Sequence, residues 1–227
     1  MRKIVAVAFV SLDGVMQGPG APEEDPSGGF ALGGWTVPYF DEEVGAVMTE
    51  ILARPFDLLL GRRTYDVFAA HWPHVATDEM AAEETGDGDI ARRLNDAVKY
   101  VATSDPASLG WAESVWLGES VVDTLSALKA GDGPDLLVQG SSVLLETLFL
   151  HDLVDEIRLI AFPVVLGDGK RFFAPGAALA FRPLEHRVTP SGVAISRLER
   201  AGPVETGSFA LEEPTEAELE RRSRQHA

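Results

Sequence analysis

Four short runs place small, polar and cationic residues where apolar runs end: Ser11-Leu12-Asp13-Gly14, Gly61-Arg62-Arg63-Thr64, Thr103-Ser104-Asp105 and Gly140-Ser141-Ser142. At three of them a helical pattern begins. In an open α/β sheet, ligands bind outside the carboxyl ends of strands. Exposed N–H groups and the positive end of a helix favour an anion there. Gly61 and Gly140 let backbone approach a ligand where a side chain would block it. Arg62 and Arg63 add two cations to a helix start. Taken singly, each run has a plain structural reading: a glycine makes a turn, and a serine or threonine caps a helix. Together, with an arginine pair in an otherwise acidic chain, they point to a phosphate-bearing ligand.

Other chemistry has little support. There is no G-x-G-x-x-G, no Walker G-x-x-x-x-G-K, no G-x-S-x-G elbow and no H-E-x-x-H. His71 and His74 stand in His-Trp-Pro-His, near Asp78. Pro73 prevents a regular helix from presenting both imidazoles to a metal, so a loop anchored by Trp72 is the better reading and no metal is expected. His151, His186 and His226 are scattered without the spacing of a triad. The chain has no cysteine, which excludes disulfides, iron–sulfur clusters and thiolate chemistry.

These residues need elements to hold them. Apolar runs with β-branched residues mark strands at 3–11, 56–60, 99–103, 114–117 and 135–139, and longer ones at 156–166, 179–189 and 193–200. Helical patterns fill 41–54, 62–70, 90–97, 121–130 and 142–150. The first five strands are each followed by a connection, most containing a helix, which predicts a largely parallel sheet covered on both faces. Only loops separate the last three, which predicts an antiparallel edge. The fold class is α/β: a central mixed sheet of about eight strands with helices on both faces, in one domain over residues 1–201. The Gly/Pro-rich stretch 18–34 is a long loop without a pattern of its own, and such loops are usually functional or mobile. Residues 21–50 and 78–89 contain acids and no Lys or Arg, as surface segments do. Residues 202–227 form an acidic tail poor in apolar side chains. There Thr215-x-x-Glu218 could open a short solvated helix as a capping box, but a frayed, flexible tail is the preferred reading.

Composition narrows the function classes. The 227 residues carry 19 Lys+Arg against 36 Asp+Glu, a formal charge of −17, with 45% hydrophobic and 24% charged residues. That balance suits a globular protein with a full core. The negative charge would repel a phosphate backbone, so no nucleic-acid partner is expected. No apolar run reaches the ~18 residues of a membrane span. Arg2-Lys3 and the apolar residues 4–10 imitate a secretory leader. The run is at the short end of the usual ~7–15 residues, and no small-residue cleavage site follows. A buried first strand explains it better, and a cytoplasmic location is expected.

The same residues carry a family resemblance over roughly residues 1–201. The chain is similar to the dihydrofolate reductase-like superfamily, and within it to the bacterial deaminase–reductase C-terminal domain group, which includes the riboflavin-pathway pyrimidine reductases. Ser11-Leu12-Asp13-Gly14 matches the group's first-strand signature. Leu58-Leu59-Leu60-Gly61-Arg62-Arg63-Thr64-Tyr65 matches the strand–Gly-Arg-x-Thr–helix signature. Leu137-Val138-Gln139-Gly140-Ser141, Leu153-Val154-Asp155-Glu156-Ile157 and the run from Pro163 to Phe173 are the most specific matches. The resemblance implies a three-layer dihydrofolate reductase-like fold and an NADPH site. Gly61, Arg62, Arg63 and Thr64 would hold the pyrophosphate and adenosine phosphate, and Thr103 and Ser104 the adenosine side. Gly140, Ser141, Ser142 and Val143 would lie against the pyrophosphate and nicotinamide. Ala8, Phe9 and Met16 would border the nicotinamide, and Trp35 and Phe40 the substrate. Members commonly pair as homodimers. The apolar strand 157–166 would suit such an interface, although an internal central strand would read the same.

Departures from the pattern matter as much. Gly140-Ser141 stands where dihydrofolate reductases have a glycine pair, and the serine adds a hydroxyl that could bind phosphate. In Trp35-Thr36-Val37-Pro38-Tyr39-Phe40-Asp41 the expected acid falls on Phe40, with Asp41 one residue late. Val15 replaces a lysine typical of the riboflavin-pathway enzymes, and no deaminase segment is present. The expectation is a stand-alone NADPH-dependent reductase of a small pterin- or pyrimidine-like heterocycle, with a proton from Asp41, Asp13 or water. Asp13 before a glycine often simply makes the turn, and Asp41 could be the N-cap of the helix that follows. Asp41 is preferred of the two. The competing class is a nucleotide-binding regulatory or sensor module without turnover, which would keep the glycine turns and lack a competent acid.

Overall fold

Strands that are apolar at nearly every position can sit only where both faces are covered. β1 (Ile4–Ser11) is of this kind along almost its whole length, and β5 (Asp135–Gln139) over its three central residues. They lie side by side in one eight-stranded sheet with β2 (Phe56–Gly61), β3 (Lys99–Ala102), β4 (Ser114–Trp116), β6 (Glu156–Phe162), β7 (Ala180–Val188) and β8 (Ala194–Gly202). The computed structural model, which describes residues 1–75, 88–173, 175–209 and 213–225, gives the order β4-β3-β2-β5-β1-β6-β8-β7. Pairing is parallel from β4 to β6 and antiparallel at β6–β8 and β7–β8, as the spacing of strands and helices predicts.

Alternation along the strands divides the core in two. Val5, Val7, Leu58 and Leu60 pack on one face with Val44 of α1 (Glu42–Ala53), Tyr65 of α2 (Arg62–His71) and Leu94 of α3 (Gly88–Asp96). Ile4, Ala6, Leu59 and Leu136 pack on the other with Leu125 of α4 (Val121–Ala130) and Leu145 and Leu148 of α5 (Ser142–Leu150). Neighbouring strands β2 and β5 therefore send the chain to opposite faces. From β2 it goes by α2 outward to β3, and from β5 by α5 across β1 to β6. The point where the winding reverses is where an open α/β sheet leaves a crevice at its carboxyl edge. Pairing between these two strands runs only to Leu58↔Leu137, three residues short of Gly61.

Some expectations need correction. β6 stops at Phe162 rather than 166, because Pro163 has no N–H to continue the ladder. β6 is also interior, between β1 and β8, so its edge is not free to build a homodimer. Lys99, inside an apolar run, is fully buried, with its ammonium 4.4 Å from the centroid of the Trp111 ring and donating to the Asn95 carbonyl. Burial pushes this lysine down to about 8. The tail contains a helix, α6 (Glu216–Gln225), none of whose residues is buried. Thr215 Oγ1 accepts from the Glu218 N–H at 3.3 Å, which is one half of a capping box, while the Glu218 carboxylate accepts from Arg221 and Arg222 instead. Most of the acidic stretch 78–89, including Asp78, lies outside the described residues.

Candidate active site

Where β2 and β5 part, a crossed set of four residues ties their ends together. Ser141 Oγ accepts from the Gly61 N–H at 2.8 Å and donates to Thr64 Oγ1 at 2.7 Å. A Cβ on Gly61 would lie 2.9 Å from Ser141 Oγ, and one on Gly140 would lie 3.1 Å from Thr64 Oγ1. Each hydroxyl thus faces a glycine that makes room for it. Gly140 has φ +76 and Ser141, without the freedom of glycine, has φ +62. Neither α2 nor α5 has a side-chain cap at its N-terminus, so two helix starts meet here with backbone donors left over. Ser142 opens α5, and Val143 beside it is 78% exposed. The structure therefore brings Gly61, Thr64, Gly140 and Ser141 together, from positions about eighty residues apart in sequence.

The two arginines diverge. Arg62 pairs with Asp66 at 2.9 Å and donates to the Asp105 carbonyl at 3.3 Å and to Ser108 Oγ. The hydrogen bond to Asp66 holds its guanidinium above the usual range. It thus stands beside the turn 103–105, where Thr103 Oγ1 accepts from the Asp105 N–H at 3.0 Å and Ser104 is exposed. Arg63 turns the other way. Its Nη1 donates to Ser27 Oγ at 2.8 Å and lies 3.4 Å from Asp25 Oδ1 in the long loop. Both cations already have partners within the chain, and Arg63, 60% exposed, has the looser ones.

On the far side of β1, the aromatic residues collect in a row. Phe9 meets Phe40 at 6.2 Å and Phe162 at 5.5 Å, and Trp35 meets Phe162 at 5.5 Å, all edge to face. Ala8 and Met16 are buried in the opposite half of the core, while Phe40 is 47% exposed. β1 is paired with β5 only as far as Val7↔Gln139, so Ala8 and Phe9 are where it loses that neighbour.

Neither candidate acid is free. Asp41 Oδ1 accepts from the Val44 N–H at 3.0 Å and caps α1. Its Oδ2 accepts from the N–H and hydroxyl of Ser191, in the β7–β8 turn, at 3.1 and 2.7 Å. These bonds, the Val44 N–H first, hold its carboxyl far below the usual carboxylate range. Asp13 accepts from Ser11 Oγ at 2.6 Å, Leu166 N–H at 3.1 Å and Gly167 N–H at 2.9 Å. The Ser11 bond above all lowers it to about 2. Asp13 thus holds a turn and Asp41 caps a helix, and the bonds they accept favour the ionised form of both carboxyls.

Sequence reasoning missed the residues that fasten the long loop. Gln17, buried, donates from Nε2 to the carbonyls of Asp25 and Ser27 at 2.9 and 2.8 Å, while its Oε1 accepts from the Lys170 N–H at 3.0 Å. The Trp35 indole donates to the Gln17 carbonyl at 2.8 Å. Lys170 pairs with Asp25. The only signal for this was a lone buried amide type in an otherwise apolar stretch, which periodicity does not flag. A cavity of about 650 Å3 among Tyr65, Asp66, His74, Asn95 and Trp111 is lined by none of the expected site residues, although Asp66 and Ser108 in its wall are partners of Arg62. Among the described residues no group of three or more His, Cys, Asp or Glu could hold a metal. His71 stacks edge to face on Trp72 at 4.9 Å instead. No helix among them is long and apolar enough to cross a membrane.

A family model described as the RibD C-terminal domain matches residues 2–195. YyaP, an uncharacterized protein of Bacillus subtilis (strain 168), is 24% identical over 172 residues, 76% of this chain and 80% of that protein. A putative riboflavin biosynthesis protein from Shewanella sp. PV-4 has a similar structure, with a TM-score of 0.62 at 19% identity, over 88% of this chain and 99% of that one. A pyrimidine reductase-like protein from Corynebacterium diphtheriae gives 0.55 at 14% identity, over 88% and 92% of the two chains. At such identities the two solved structures share the fold with this chain.

Proposed function

Because the chain belongs to the RibD C-terminal domain family, we propose that it is a reductase that uses NADPH to reduce a C=N or C=O bond of a small, pterin- or pyrimidine-like heterocycle. One observation carries this reading: two uncapped helix starts, α2 and α5, meet across the crevice where the sheet reverses its winding. Glycines there keep the backbone bare: a Cβ at Gly61 would collide with the Ser141 hydroxyl, and one at Gly140 would crowd Thr64. That arrangement fits a pyrophosphate, which needs backbone donors and close approach. Gly61, Arg63, Thr64, Gly140, Ser141 and Ser142 would hold it. Arg62, Thr103 and Ser104 would take the adenosine end, and Ala8, Phe9, Met16 and Val143 the nicotinamide end. The dihydronicotinamide, when bound, supplies a hydride. Trp35 and Phe40, in the aromatic row with Phe9, would orient a flat ring against it. With Asp13 and Asp41 both engaged, water is the better source of the proton.

The test is to titrate NADPH and NADH by thermal shift, then follow NADPH oxidation with pterins, pyrimidines and flavins. Ligands that bind only the native state raise its melting temperature by mass action. NADPH should raise it more than NADH, and at least one heterocycle should be reduced. A flat response to both cofactors would overturn the assignment. The engaged carboxylates favour one second reading, a nucleotide-binding module without turnover. Binding of NADPH without oxidation across the whole panel would select it.

A further inference from the structure

We infer that Ser141 is a positioning residue for the cofactor cradle: its hydroxyl joins the start of α2 to the β5–α5 turn and sets the Thr64 hydroxyl as an outward donor. This rests on the reading of the crevice as an NADPH site. Ser141 has φ +62 and ψ +69, the left-handed region, which disfavours every residue with a Cβ. Glycine would fit that seat without strain, and Gly140 next to it is one. What a serine adds is two hydrogen bonds, one from the Gly61 N–H and one to Thr64 Oγ1. The chain of donors runs in one direction, from the Gly61 N–H to Ser141 to Thr64. Because Thr64 Oγ1 accepts, its own proton is left to give, and each bond in such a chain strengthens the next. The two glycines complete the device, since Gly61 leaves room for the Ser141 hydroxyl and Gly140 for the Thr64 side chain. Gly61 lies 80 residues before Ser141 in sequence, so one hydroxyl links the two helix starts into a single cradle.

The experiment measures NADPH affinity and melting temperature for wild type, Ser141→Gly, Thr64→Val and the double variant. Ser141→Gly relieves the left-handed seat while removing both bonds, so its melting temperature should stay within about 3 °C of wild type. Its NADPH affinity should fall about tenfold. In the Thr64→Val background the same substitution should have almost no further effect on affinity, because the relay is already cut. Ser141→Gly binding NADPH as tightly as wild type, or weakening it equally in both backgrounds, overturns the inference. If Thr64→Val does not fold, the separation of affinity from melting temperature in Ser141→Gly still decides. Wild type failing to bind NADPH overturns the cofactor reading and this one with it, whereas tight wild-type binding with an unaffected Ser141→Gly overturns this one alone.

Discussion

On the β2–β5 side of the crevice, polar groups are left with something to give; on the β1 side, the carboxylates are used up. α2 and α5 begin without side-chain caps, while α1 begins on Asp41, whose second oxygen also holds Ser191. An Asp cap satisfies a helix start and removes it as an anion site. The chain has therefore spent its capping acid where no anion is expected and withheld capping side chains where one is. The difference teaches that the half proposed to hold the cofactor is built from backbone and glycine, and the other half from aromatic surface around acids engaged in hydrogen bonds.

The arginines give the largest test of that division. Arg62 stands beside the 103–105 turn and Arg63 beside the long loop, so they should not serve the same phosphate. Arg62→Ala should weaken NADPH about tenfold or more and leave NADH nearly unchanged, because only NADPH carries the 2′-phosphate. Arg63→Ala should weaken both cofactors alike. Titration of the two cofactors into each variant at fixed salt checks this. Equal affinity of wild type for NADPH and NADH would break the assignment of the adenosine end.

Asp41 tests the other half. If it is a strut, Asp41→Ala should lower the melting temperature by on the order of 5 °C, through the lost cap and the released β7–β8 turn. Turnover per folded molecule should stay within about twofold of wild type. A large fall in turnover with an unchanged melting temperature would restore Asp41 to the chemistry.

Acid titration should show a smaller effect. Asp41 and Asp13 are both held below their ordinary values in the folded state. Their contribution to stability is then fully present above about pH 4 and is lost as pH falls towards about 2. Denaturant unfolding at pH 7, 4 and 3 should show stability declining over the last interval, and less steeply in Asp41→Asn. A steeper loss between pH 7 and 4 would mean that another group, outside these two, governs acid unfolding.

Much of the frame was legible because burial on both faces writes itself into the sequence as continuous apolar runs, and helices as gaps of helical period. That is why the sheet could be read as mostly parallel with an antiparallel edge, although its strand order could not. The four strand-end runs were legible for the same reason, since each follows a run that must be buried. Periodicity cannot show pairings between distant polar residues. Nothing in the local text says that Ser141 would bond to Gly61 and Thr64, that Lys99 would be buried under Trp111, or that Gln17 would anchor the long loop. Asp41 was the instructive case. Its place at the start of a helical pattern offers a cap as readily as a proton donor, and the local text cannot choose between them, because the Ser191 contact that also engages it comes from 150 residues away.

Asp13 should give the smallest effect, and it sharpens the comparison most finely. Its carboxylate accepts three bonds: the Ser11 hydroxyl and Leu166 N–H to one oxygen, and the Gly167 N–H to the other. An asparagine in its place keeps one carbonyl oxygen for Ser11 and Leu166. Its amide would then turn two donors towards the Gly167 N–H, so that one bond is lost and the turn loosens slightly. Asp13→Asn should therefore lower the melting temperature by no more than about 2–3 °C. The charge it removes lies in a turn that also holds Arg171, 4.0 Å away, and a pair so exposed contributes little. As a proton donor Asp13 would fail at neutral pH anyway, since at about 2 it is almost wholly ionised. The pH profile of turnover between about pH 5 and 8 should thus be the same in wild type and Asp13→Asn. A limb of that profile that disappears in Asp13→Asn would show that the turn residue donates the proton after all, and the contrast between a giving half and a spent half would fail at its weakest point.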